Sequence, residues 1–254
     1  MDVMIKKMKK NEETKPKIDG ILKDELEKND SENEDGIFFT IQDINLNNKF
    51  NEIKYNGATI NSLTIMKFLG PRSQLNDDVI DIFSHLIQKQ FENYYYVTSN
   101  FISENPVTNI LEYHLNYLPT TLFTDKNYEK LFFPILDYKL GHWVLVVVDI
   151  KTKSIWYYDS ILFNESGSIR KKLATKYLNL IKNALEEKNN KKNQEFSLWI
   201  YDDAPQQINE YDCGVYVCAI MYYISHNKRL SSFDDEKAKN FRKKIKHAII
   251  SGSL

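Results

Sequence analysis

The sequence predicts a mixed α+β fold in which a central mixed sheet is flanked by helices. Three observations lead there. Apolar residues recur at helical spacing over 63–92, β-branched and aromatic runs cluster between 132 and 160, and helical spacing returns over 168–188 and from Cys213 onward. Hydrophobic residues make up 42% of the 254 residues, with 14 Phe, 16 Tyr and 3 Trp, which is enough for a sizeable core.

Residues 1–36 are dominated by Lys, Glu, Asp and Asn. So few apolar side chains do not offset the entropy of ordering, and the segment reads as a disordered tail before a catalytic-sized domain over 37–254. Its cluster Lys6-Lys7-Met8-Lys9-Lys10 reads as solvated tail ahead of a nuclear address. Helices are expected over 63–69 and 77–92, the second with Val79, Ile82, Phe83, Leu86 and Ile87 on one face. Asp77 follows Asn76 just before that apolar run, which is N-cap chemistry. The tyrosines at 94–96 read as packing residues. A strand over 132–136 precedes a hairpin whose arms are 142–150 and 155–160, joined by Lys151-Thr152-Lys153-Ser154. A helix over 168–188, a charged linker over 189–194 and a strand over 196–201 follow. Asp202-Asp203-Ala204-Pro205 then breaks regular structure, before helices over 213–227 and 234–250. The basic clusters Arg170-Lys171-Lys172 and Arg242-Lys243-Lys244 read as solvated helix faces.

Chemistry concentrates at three places. Cys213 stands between Asp212 and Gly214 where a polar loop meets an apolar helix, and the free N–H groups of a first helical turn favour a thiolate there. Gly214 lacks a Cβ, so a substrate or a neighbouring strand can approach the backbone closely. His142 opens one arm of the hairpin and Asp159 closes the other, so an imidazole and a carboxylate meet at its open end. That suits a general base and the group that orients it, and a thiol from a separate helix completes a Cys-His-Asp set. Alone, Cys213 reads as a buried thiol, His142 as a strand-end histidine and Asp159 as a turn residue; jointly they favour catalysis. Cys218 reads as core.

These residues resemble the Ulp/SENP cysteine proteases, which remove SUMO and related ubiquitin-like modifiers. The resemblance is carried by His142-Trp143 heading a hydrophobic strand, by Asp159-Ser160, by Gln207 on the loop before the nucleophile, and by Asp212-Cys213-Gly214. It implies a papain-like architecture with Cys213 as nucleophile, His142 as general base, Asp159 as its orienting partner and Gln207 as a donor to the oxyanion. Gln206 is chemically identical, and position alone selects Gln207. A second match is Gln74-Leu75-Asn76-Asp77, where the family carries Trp-Leu-Asn-Asp. It implies that Asp77 contacts the modifier and that Trp143 lines one side of the channel for a Gly-Gly tail, with Gln74 replacing the tryptophan of the other side.

The resemblance implies a thiol isopeptidase that removes SUMO or matures its precursor, a monomer working inside the cell in nucleus or cytoplasm, with no cofactor. Two rivals stay open: the same hydrolase directed at ubiquitin or the cullin modifier, and a catalytically silent modifier-binding module. Related clan members acetylate proteins through a similar cysteine, but the hairpin Asp and the placing of Gln207 favour the protease. Net charge of −1 gives no global attraction to nucleic acid or an anionic membrane. No apolar run approaches the ~18 residues of a transmembrane helix, and the lysine-rich start lacks a signal-peptide core. Two cysteines make no disulfide framework and suit a reducing compartment. His85, His114, His226 and His247 lack metal-ligand spacing, and no phosphate-binding glycine loop is present.

Overall fold

A computed structural model of the protein describes residues 53–55, 58–61, 65, 67–97, 128–138, 140–161, 167–188 and 195–254. The chain divides into two units, Met1–Phe50 and Asn51–Leu254, and every described residue belongs to the second. The tail expected over 1–36 and the linker over 189–194 lie outside the described residues, as do 63, 64 and 66 of the helix expected over 63–69, of which 65, 67 and 68 are helical.

The strands are β1 (Ile53–Tyr55), β2 (Ala58–Ile60), β3 (Tyr94–Tyr96), β4 (Lys130–Asp137), β5 (His142–Asp149), β6 (Ser154–Tyr158) and β7 (Ser197–Ile200). The helices are α1 (Asp77–Gln90), α2 (Gly167–Lys188), α3 (Cys213–Ser225) and α4 (Asp235–Ser251). β1 and β2 pair antiparallel by themselves. β3 to β7 form a five-stranded mixed sheet in sequence order, with β3 parallel to β4, antiparallel pairs through β5 and β6, and β7 parallel to β6. The α+β expectation therefore holds. The first hairpin and the strand at the tyrosine trio are additions to it. Strands of 3 residues are too short to declare a period, although Asn56-Gly57 between β1 and β2 is a strong hairpin signal.

One face of the sheet is covered by α2. Ala174, Leu178, Ile181 and Leu185 pack on Phe133, Val144, Val146 and Tyr157. By strand alternation Trp143, Leu145 and Val147 point to the other face, where α3 packs on β5. The sequence CGVYVCAIMYYIS is apolar all round, and α3 is buried along nearly its whole length beneath α1 and α4. Pro134 sits inside β4 without harm because β3 pairs only as far as Phe132, leaving β4 locally an edge.

α1 is capped by Asn76, whose side chain accepts from Val79 N at 3.2 Å. Asp77 is therefore the first helical residue rather than the cap, and its Oδ1 accepts from the Asp78 N–H. The two basic clusters also differ from expectation. Lys172 and Lys243 are exposed, but Arg170 and Arg242 are each only 7% exposed and turn inward to carboxylates.

Candidate active site

His142 is the first residue of β5, and Asp159 follows the last residue of β6. The pairing Leu145↔Tyr158, continued by one residue, puts Asp159 beside Val144 and diagonal to His142 on one face of the sheet. Gly141 takes the left-handed conformation at φ 58° in the turn that starts β5, which an ordinary side chain disfavours. His142 Nε2 and Asp159 Oδ1 lie 2.8 Å apart, both groups buried. The hairpin thus brings the imidazole and the carboxylate together, as its topology predicts.

Asp159 accepts more than the imidazole. Its Oδ1 takes the Ile161 N–H at 2.9 Å, and its Oδ2 takes the Tyr157 hydroxyl at 3.2 Å and Arg170 Nη1 at 3.5 Å. Burial pushes this carboxyl up, but the His142 bond and charge, the Ile161 N–H and Arg170 outweigh it and hold it below the usual carboxylate range. An ionised carboxylate only accepts, so Nε2 carries the proton and Nδ1 is left to face the thiol. The Cys213 thiol is close enough to act on the imidazole. Burial pulls His142 down; Asp159 and Cys213 prevail and raise it above its ordinary value.

Cys213 begins α3 and is 1% exposed. A Cβ on Gly214 would lie 2.9 Å from Leu75 Cβ, so the missing side chain lets the loop before α1 settle on the start of α3. The close neighbour is therefore that loop, not a strand. Trp143 Nε1 donates to Leu75 O at 3.0 Å, and Gln74 Nε2 donates to Glu210 O at 3.2 Å. Trp143 is 3% exposed, beside the 74–76 loop. Gln74 joins that loop to the one preceding Cys213.

The adjacent glutamines separate clearly. The Gln206 amide donates to the carbonyls of Asp159 and Ala204, each at 2.9 Å, so it is used in holding the loop. Gln207 takes Ser160 Oγ on its Oε1 at 2.6 Å, its own N–H donates to Ser160 O at 2.7 Å, and its Nε2 reaches Asn209 O. Ser160 thereby fixes which end of the Gln207 amide is the donor.

The sequence signature described as "Ulp1 protease family, C-terminal catalytic domain" matches residues 73–253, which include His142, Asp159, Gln207 and Cys213. The chain belongs to the Ulp1 protease family. Ubiquitin-like-specific protease 1 of Saccharomyces cerevisiae is 34% identical over 192 residues, covering 74% of this chain and 29% of the yeast protein. Human Sentrin-specific protease 2 is 31% identical over 120 residues, covering 44% of this chain and 19% of the human one. The chain thus spans less than a third of these two relatives. Among solved structures, the C-terminal Ulp1 protease domain in complex with Smt3, the yeast ortholog of SUMO, superposes with a TM-score of 0.65 at 29% identity. That match covers 78% of this chain and 86% of the other.

Sequence reasoning missed Arg170, Tyr157 and Arg242 in this Ulp1-family site. A basic residue at a helix end carries no mark of whether it faces water or a buried carboxylate. Among the described residues, no group of His, Cys, Asp and Glu is arranged to hold a metal, and no helix is long and apolar enough to cross a membrane.

Proposed function

We propose that this chain is a cysteine isopeptidase and peptidase that cleaves after the C-terminal Gly-Gly of SUMO. The buried series Asp159–His142–Cys213, in which Asp159 binds His142 at 2.8 Å and the thiol is close enough to act on the imidazole, carries the reading. The Cys213 thiol gives its proton to His142 as its sulfur attacks the carbonyl carbon of the terminal glycine, forming the S–C bond of a tetrahedral intermediate. Collapse breaks the C–N bond, and His142 protonates the departing amine, leaving a thioester. His142 then takes a proton from water, whose oxygen attacks the thioester, and the proton returns to the leaving thiolate. Asp159 stabilises the imidazolium throughout. The Gln207 amide and the Cys213 N–H are the oxyanion donors. Trp143 and Asp77 belong to the substrate-binding side, Trp143 at the tail channel and Asp77 against the modifier surface. The catalytic domain runs over 37–254, and the work is intracellular.

The test is covalent capture by SUMO, ubiquitin and cullin-modifier probes carrying a C-terminal electrophile. SUMO capture that disappears in Cys213→Ala is the expected result. Capture of ubiquitin or the cullin modifier alone would redirect the specificity, and a folded protein that captures none would overturn the hydrolase reading.

A further inference from the structure

We infer that Arg242 is a positioning residue that holds the first turn of α3 open for the oxyanion. The inference rests on the hydrolase reading above.

An Asp or Asn at a helix N-cap ordinarily folds its side-chain oxygen onto the N–H groups of the first turn. This chain does so elsewhere: Asn76 accepts from Val79 N in α1, and Asp234 accepts from Lys237 N in α4. Asp212, the N-cap of α3, makes no such bond. Both its oxygens are claimed from the side. Oδ1 is bound by Arg242 Nη2 at 2.5 Å, and Oδ2 by Asn209 Nδ2 at 2.8 Å. Arg242 comes from the far helix α4 and is itself held by the carbonyls of Phe68, Gly70 and Tyr211. A buried guanidinium with this many acceptors sets a direction as well as a charge.

The consequence falls on the residue next door. Cys213 follows Asp212, and the N–H groups of the first turn of α3 carry no side-chain cap. A carboxylate folded over them, onto the Val215 N–H if it follows the i+3 pattern of α1 and α4, would place negative charge beside the Cys213 N–H, where the reaction develops it. Arg242 keeps that carboxylate turned away. Without Arg242, Asp212 has the ordinary reason to swing onto its own helix, since capping and the helix dipole both favour it.

Steady-state cleavage of fluorogenic C-terminal amides of SUMO, ubiquitin and the cullin modifier tests this. Arg242→Met should lower kcat on the order of 10²-fold, the scale of one lost oxyanion donor, with KM little changed. Adding Asp212→Ala removes the offending carboxylate and should restore most of the lost kcat. A merely structural Arg242 would move kcat and melting temperature together, down in Arg242→Met and back in the double variant as the unpaired buried charge is removed. A kcat that only tracks the melting temperature, or no recovery of kcat at all, therefore overturns the inference. An unchanged kcat in folded Arg242→Met overturns it equally. Should Arg242→Met fail to fold, Arg242→Lys, which keeps the charge but loses the fork, carries the same comparison with and without Asp212→Ala. A wild-type chain that cleaves none of the amides sinks the hydrolase reading and this inference together. Cleavage by wild type with no rescue in the double variant sinks this inference alone.

Discussion

Gly214→Ala tests the seating of the 74–76 loop on α3, the helix that Cys213 begins. The added Cβ would stand 2.9 Å from Leu75 Cβ, 3.3 Å from Leu75 Cγ and 3.4 Å from Ile80 Cδ1. Carbon atoms pack best at about 3.5–4.0 Å, so the nearest contact is too short by roughly 0.6–1.1 Å. The clash is with Leu75 Cβ, which moves only with its backbone. That backbone is tethered by the Trp143 indole on the Leu75 carbonyl, and Leu75 is only 2% exposed. Overpacking of this kind costs about 1–3 kcal/mol. Alanine's better helical propensity returns about 0.5–1 kcal/mol. The expected net loss is about 1–2 kcal/mol, or roughly 2–8 °C in melting temperature for a domain of this size. Urea unfolding with a Leu75→Gly cycle isolates the contact, because Leu75→Ala leaves the offending Cβ in place. A Gly214→Ala variant as stable as wild type, or additive with Leu75→Gly, would refute the reasoning.

Gln207→Ala should lower kcat about 10²-fold or more. Gln206→Ala should instead cost about 1–2 kcal/mol of stability through its lost carbonyl bonds; paired kinetics and melts on both variants separate the roles. Arg170→Met removes one charge of a buried pair and should destabilise by about 3 kcal/mol, read by urea unfolding, with Arg170→Lys recovering part of it. Stability from the His142–Asp159 pair has two limits. His142 is raised in the fold, so its contribution is full below its unfolded value of ~6.5 and is lost as pH rises through the higher folded value. Asp159 is depressed, so its contribution is full above ~3.9 and is lost as pH falls through the lower folded value. Melts of wild type and His142→Gln across pH should therefore differ most between about 4 and 6.5, and a constant difference would contradict the pairing.

Much of this protein was legible before any coordinates. The hairpin at 142–160 announces itself through β-branched and aromatic runs, and a hairpin brings its two ends together whatever the details of its turn. His142 and Asp159 were thus neighbours by topology. The helix begun by Cys213 declares itself by being apolar all round, which only a buried helix tolerates. Local pattern does not report which distant group a polar side chain meets. Two basic triplets looked alike as solvated faces, yet each sends one arginine to a carboxylate at the site. Gln206 and Gln207 were told apart by position alone until the fold showed one amide on backbone carbonyls and the other fixed by Ser160.

The division has a physical basis. Periodicity and the chemistry of side chains are properties of short stretches, so the sequence alone determined the longer elements, the 142–160 hairpin and the Cys-His-Asp inventory, but not the three-residue strands. Distances, burial and charge pairing arise where segments remote in sequence meet. The tertiary structure alone decided that Arg242 of the last helix restrains the residue beside Cys213, that Leu75 fills the space Gly214 leaves, and that Asp159 sits ionised among four donors.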